Sequence, residues 1–139
     1  MTLKYIADTS AMARLNRPSV SKRLTPLVKK GVLASCAILD FEALWSIPPG
    51  KAVGDAMAAR SATYGWLVTD DRDFARAIEV LTQLAENGKH RSVKWPDAII
   101  AAVAERHRLT LLHYDADFDA IAAITNQRTE WVVARGSIN

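Results

Sequence analysis

The chain has 139 residues, half of them hydrophobic, and a formal net charge of only +3, which suits one domain with a sizeable core over residues 1–139 and argues against two. A single cysteine, Cys36, excludes a disulfide framework and a cysteine-based zinc site, and it reads as a small buried apolar residue. No apolar stretch nears the roughly 20 residues a bilayer requires, and the start lacks the charged-then-apolar pattern of a signal peptide, so a cytoplasmic protein without a membrane partner is expected.

Residues 3–7 read as a short buried strand that ends at Asp8, with Ser10 or Thr9 capping a brief helix over 11–15. Val20, Leu24, Leu27 and Val28 recur at helical spacing, so an amphipathic helix is expected over 19–30, with Pro26 inside it. Gly31 closes that helix, and 32–34 form a second strand. Ile38, Leu39, Phe41, Leu44 and Trp45 fit a helix over 36–47, stopped by Pro48-Pro49-Gly50. A helix over 51–64 and an extended piece over 66–68 follow. The next helix starts at Asp70 or Asp71 and ends at Asn87-Gly88, with Phe74, Ala77, Ile78, Leu81, Leu84 and Ala85 marking its buried side. Pro96 suits the first turn of a helix that reaches His107. A strand over 109–113, a helix over 117–124 and a strand over 130–133 complete the chain. Short apolar strands alternating with amphipathic helices predict an α/β fold, a three-layer α/β/α sandwich around a short, mostly parallel sheet.

In such sheets the functional crevice lies at the carboxyl ends of the strands, where this reading puts Asp8 and Asp115. A carboxylate at the end of a buried strand is costly to leave unsatisfied. Two strand-end acids and the helix-borne Asp97 therefore suggest one acidic cluster, whose natural occupant is a hard divalent cation. Asp97 also has a simpler role open to it, as an acid favoured by the dipole of the helix start. Glu42 and Asp40 compete for a place on the third helix. Asp117 is a further ligand, directly or through water, while Asp117 or Asp119 could instead cap the helix beginning near Phe118. Asp70, Asp71 and Asp73 read as a capping run on solvated surface, His113 as packing or hydrogen-bonding support, and His107 as a dipole partner at a helix end. Trp45, Trp66, Trp95 and Trp131 are too dispersed for a base-stacking platform and read as core or dimer contacts.

Positive charge is uneven. Residues 1–30 carry seven basic side chains against the one acid Asp8, and Lys89, His90, Arg91 and Lys94 lie directly before Asp97. Basic groups beside an acidic metal site are what a phosphodiester substrate needs, and Arg14, Arg91 and Lys94 are assigned to its backbone.

Taken in order, these pieces resemble the PIN-domain family and, within it, the VapC-type toxins of bacterial toxin–antitoxin pairs. The resemblance rests on Ile6-Ala7-Asp8-Thr9-Ser10-Ala11, Leu39-Asp40-Phe41-Glu42, Pro96-Asp97-Ala98-Ile99-Ile100-Ala101-Ala102-Val103-Ala104 and Leu111-Leu112-His113-Tyr114-Asp115-Ala116-Asp117-Phe118, closed by Glu130-Trp131-Val132-Val133-Ala134-Arg135-Gly136-Ser137. It implies a Mg²⁺- or Mn²⁺-dependent endoribonuclease, usually a homodimer, silenced by a VapB-type antitoxin. The family's acids fall on Asp8, Glu42, Asp97 and Asp115, with Asp117 as an occasional further acid. Many relatives carry Thr where this chain has His113. Metal-assisted hydrolysis would use Asp8, Asp97 and Asp115 as ligands and Glu42 as a ligand or water-orienting group. Two other readings remain open: a non-catalytic RNA-binding module of this type, and an aspartyl-phosphate enzyme, against which Ser10 stands where a second Asp is needed.

Overall fold

A computed structural model describes residues 2–139. Its described residues form β1 (Tyr5–Ala7), α1 (Thr9–Met12), α2 (Pro18–Lys29), β2 (Leu33–Cys36), α3 (Ala37–Trp45), α4 (Val53–Thr63), β3 (Gly65–Leu67), α5 (Asp71–Glu86), α6 (Trp95–Arg106), β4 (Thr110–His113), α7 (Asp117–Thr125) and β5 (Thr129–Trp131). The strands make one sheet in the order β3-β2-β1-β4-β5, and every pairing is parallel. β1 and β4 pair in the centre, Ile6 opposite Leu111 and Ala7 opposite Leu112.

Successive strand residues point to opposite faces, and the core divides accordingly. Ile6, Ala34 and Leu111 join Leu39, Val80, Leu84, Ile100, Val103, Phe118 and Ile121, contributed by α3, α5, α6 and α7. Ala7, Leu33 and Leu112 join Ala11, Val20, Leu24 and Leu27 from α1 and α2. The result is the expected sandwich, with α6 its most buried helix: every residue from Asp97 to Ala104 is buried. Among the described residues no helix is long and apolar enough to cross a membrane.

Several local expectations differ from what the fold shows. The second strand runs two residues beyond Ala34, because Ser35 and Cys36 pair with β3. α1 is capped by Asp8, not by Thr9 or Ser10. α2 accommodates Pro26 in its last turn, where the Pro26 carbonyl still accepts from Lys30 N–H at 3.0 Å. The tryptophans Trp45, Trp66 and Trp95 are exposed and belong to no core.

The largest departure is the rotation of α5. Its buried side is Asp73, Ala77, Val80 and Leu84, whereas Phe74 and Ile78 are exposed. Asp73 is no surface charge: it is 1% exposed. Arg106 meets it through Nε and Nη2, both at 2.8 Å, and also donates to Val68 O at 2.8 Å. Asp73 Oδ2 in turn accepts from Asp70 N–H at 3.1 Å, which completes a capping box. The guanidinium compensates the burial of Asp73 and thereby turns a polar face of the helix inward. Arg106→Leu is expected to lower stability by about 3 kcal/mol, because it strands a buried carboxylate. Asp71→Asn, at an exposed position, is expected to change nothing measurable. Chemical denaturation of the two variants checks both.

Candidate functional site

The order of the strands creates the site. The chain leaves β1 towards β2 on one side, and β4 returns on the other, so a crevice opens at the carboxyl ends of these two central strands. Asp8 follows β1 directly, and Asp115 lies two residues past the end of β4. α6 leads into β4 through a tight turn closed by Leu109 N–H to Ala104 O at 2.9 Å, so its N-terminus comes back to that edge carrying Asp97. Pro96 at the helix start costs no hydrogen bond there.

Asp97, Asp115 and Asp117 each offer a carboxylate oxygen, and these three oxygens lie within 4.8 Å of one another. All donors are oxygen, which fits a hard divalent cation and not a soft one. Asp115 also shapes its own loop, its Oδ1 accepting from Asp117 N–H at 2.9 Å; neither Asp117 nor Asp119 caps α7, whose N-cap is Ala116, without a side-chain cap bond.

Asp8 stands beside this trio. Its Oδ1 accepts from Ser10 Oγ at 2.6 Å and from Ala11 N–H at 3.4 Å. Burial pushes its carboxyl up to about 6, aided by the Asp115 charge and opposed by those hydrogen bonds. Asp97 is pushed up to about 7, first by burial, then by repulsion from Asp8, Asp115 and Glu42, with Lys94 opposing. Asp117 is raised by burial and by Asp115. Three acids thus repel Asp97 and a fourth, Asp117, brings an oxygen within 4.8 Å, an arrangement that a cation relieves.

Glu42 enters from α3, six residues past the end of β2, and is held by Thr9 Oγ1, which donates to its Oε1 at 2.8 Å. Its competitor Asp40 is committed elsewhere. Asp40 accepts from Arg60 Nε at 2.9 Å, Ser35 Oγ at 2.9 Å and Trp66 Nε1 at 3.2 Å.

Of the basic residues assigned to a phosphate backbone, Lys94 is exposed at the cap of α6, and Arg91 is exposed just before it. Arg14 is engaged inside the protein: Nη1 donates to Ser10 O at 2.6 Å, Nε to Asn139 O at 2.8 Å, and its guanidinium lies 4.8 Å over the Tyr114 ring. His113 is fully buried between Phe118 and Trp131, with ring centroids at 5.1 and 5.0 Å. Its Nδ1 accepts from Asp115 N–H at 3.2 Å, and burial pushes its pKa down, so it is a neutral support for the Asp115 loop. Burial also lowers His107, which removes the charge that a helix-dipole partner needs.

Ser10, expected from the sequence only as a helix cap, has a different role. Its hydroxyl accepts from Tyr114 N–H at 2.8 Å while donating to Asp8, and so it bridges the two strand ends. A hydroxyl two residues past a strand-end acid is the signal that could have found it.

The model of the PIN domain family matches residues 5–124 of this chain. "Ribonuclease VapC21" of Mycobacterium tuberculosis (strain ATCC 25618 / H37Rv) is 44% identical over 137 residues, 99% of each chain. "Ribonuclease VapC51" of the same strain is 40% identical over 139 residues, the whole of both. Among solved structures, DNA-bound VapBC from Salmonella typhimurium superposes with a TM-score of 0.73 at 17% identity, covering 94% of this chain and 99% of that one, a likeness of fold.

Proposed function

This chain belongs to the PIN domain family, and from that premise we propose that residues 1–139 form one VapC-type toxin domain, a metal-dependent endoribonuclease that hydrolyses RNA phosphodiester bonds and is silenced by a VapB-type antitoxin. The observation that carries the reading is the convergence of Asp97, Asp115 and Asp117 within 4.8 Å at the crevice between β1 and β4. Full-length identity to two proteins named as VapC ribonucleases supports the reaction class. The antitoxin partner is supported by the DNA-bound VapBC assembly that shares this fold. The proposed site of action is the cytoplasm, where a toxin of this type meets cellular RNA.

Mg²⁺ or Mn²⁺ is the proposed occupant, held by Asp97, Asp115 and Asp117 with Asp8 as the fourth acid. When bound, such an ion lowers the pKa of water and neutralises charge on the scissile phosphate. Glu42, fixed by Thr9, orients the attacking water. Asp8, fixed by Ser10 and buried, keeps its carboxylate turned into the crevice. Lys94, whose charge acts on Asp97 and Asp117, and the exposed Arg91 follow the RNA backbone. Arg14 contributes from behind by holding Ser10, with its contact to RNA secondary. The exposed aromatics Phe41, Trp45, Phe74 and Trp95 gather around one apolar groove whose rim includes Glu42. That face suits the homodimer contact, since an apolar patch of this kind is normally covered.

The direct test is cleavage of RNA by the purified chain with Mg²⁺, with Mn²⁺ and with EDTA. Cleavage is expected with either ion and none with the chelator. Cleavage undiminished by EDTA, or RNA bound but never cut with either ion present, would remove the metal-dependent nuclease reading.

A further inference from the structure

Residues 136–139 run back to Tyr114 and Arg14, beside the loop that carries Asp115. Tyr114 sits between the two regions. Its hydroxyl donates to Ile138 O at 2.7 Å and accepts from Gly136 N–H at 2.9 Å and Ile138 N–H at 3.2 Å. One donated and two accepted bonds are all that a phenol can make. The Ile138 side chain packs against the cluster that contains Ala7, Ala11 and Leu112, and Arg14 closes the arrangement on Asn139 O. Three hydrogen bonds thus tie Gly136 and Ile138 to one side chain.

The same residue reaches the acids through its backbone. Tyr114 N–H donates to Ser10 Oγ, and the single proton of that hydroxyl goes to Asp8 Oδ1. The direction of each bond follows from the donor inventory: the amide can only donate and the ionised carboxylate can only accept, so the serine gives its proton to Asp8. A continuous path thus runs from Gly136 and Ile138, through Tyr114 and Ser10, to Asp8.

We propose that the segment Gly136–Asn139 is a positioning strap for the acidic site: by saturating the Tyr114 hydroxyl it fixes the Tyr114 backbone and, through Ser10, the orientation of the Asp8 carboxylate. The inference rests on the nuclease reading of those acids. With its hydroxyl saturated by the strap, Tyr114 acts by setting an outer hydrogen bond of an acid in the cluster. Loss of such outer partners weakens metal binding with the fold intact.

The test measures Mn²⁺ affinity, from the paramagnetic resonance signal of free Mn²⁺, together with kcat and KM on RNA. It compares the wild type, Tyr114→Phe, Ser10→Ala, their double variant and a chain lacking residues 136–139. Val80→Ala, in the core of α5 away from the crevice, serves as the control for stability loss alone. Tyr114→Phe and the shortened chain are each expected to weaken Mn²⁺ binding by roughly threefold to tenfold, lowering kcat and leaving KM for RNA unchanged. The double variant is expected to match Ser10→Ala, because both changes cut one path. Wild-type Mn²⁺ affinity in Tyr114→Phe and in the shortened chain, or penalties that multiply in the double variant, would overturn the strap. So would an equal loss of affinity in Val80→Ala. A wild type that binds no Mn²⁺ would overturn the nuclease reading itself, and the strap with it.

Discussion

Asp97→Asn is expected to reduce RNA cleavage by at least about 10³-fold, on the order of 4 kcal/mol of transition-state stabilisation, with the fold retained. Asp97 is the carboxylate on which the other acids converge. It shares the 4.8 Å cluster with Asp115 and Asp117 and feels the charges of Asp8 and Glu42 as well. Asparagine keeps its shape and leaves the first turn of α6 intact, but it removes the negative charge that a cation needs. Asp8→Asn and Asp115→Asn are expected to behave in the same way. Single-turnover cleavage rates with circular dichroism on the same samples check this, and a folded Asp97→Asn that cuts RNA at the wild-type rate would show that the acids have been wrongly assigned.

The second large effect is on stability. Asp8 and Asp97 have carboxyls raised from 3.8 to about 6 and about 7. A raised acid binds its proton more tightly folded than unfolded. Its favourable contribution is therefore complete below about pH 4 and is lost as pH rises towards 7. For a group displaced as far as Asp97 the loss is on the order of a few kcal/mol. Without metal, the melting temperature of the wild type should fall from pH 5 to pH 8 more steeply than that of Asp97→Asn, which should be no less stable than the wild type at the upper end. The lowered carboxyl of Asp70 acts nearer pH 2 and does not enter this window. Millimolar Mn²⁺ should raise the wild-type melting temperature most at pH 8, where the acids are already deprotonated, and the rise should shrink in Asp97→Asn. Thermal shift at three pH values, with EDTA as the blank, reads all of these. Parallel pH profiles for the two proteins, or an equal Mn²⁺ shift in both, would contradict a cation site made from these carboxylates.

What sequence alone determined about this protein is what depends on neighbours along the chain. Apolar runs of three to five residues broken by helical spacing are enough for a parallel α/β sheet. An acid directly after such a run, as at Asp8 and close behind β4 at Asp115, lies at the carboxyl edge of any sheet of that kind. Trp95-Pro96 marked the start of α6 by local chemistry, and Asp97 came with it.

Only the tertiary structure decided which acids are free. Asp40 and Glu42 stand two residues apart on α3, yet Asp40 is neutralised by Arg60, 20 positions further on, and Glu42 is left to Thr9. Asp73 looks like its neighbours Asp70 and Asp71 until Arg106, 33 residues away, draws it into the core and rotates α5 with it. Ser10 gains its role from Tyr114, 104 residues away. Each of these outcomes is a hydrogen bond or ion pair across elements. Its energy depends on burial and on the partner that the fold places opposite, and neither quantity is written in local sequence.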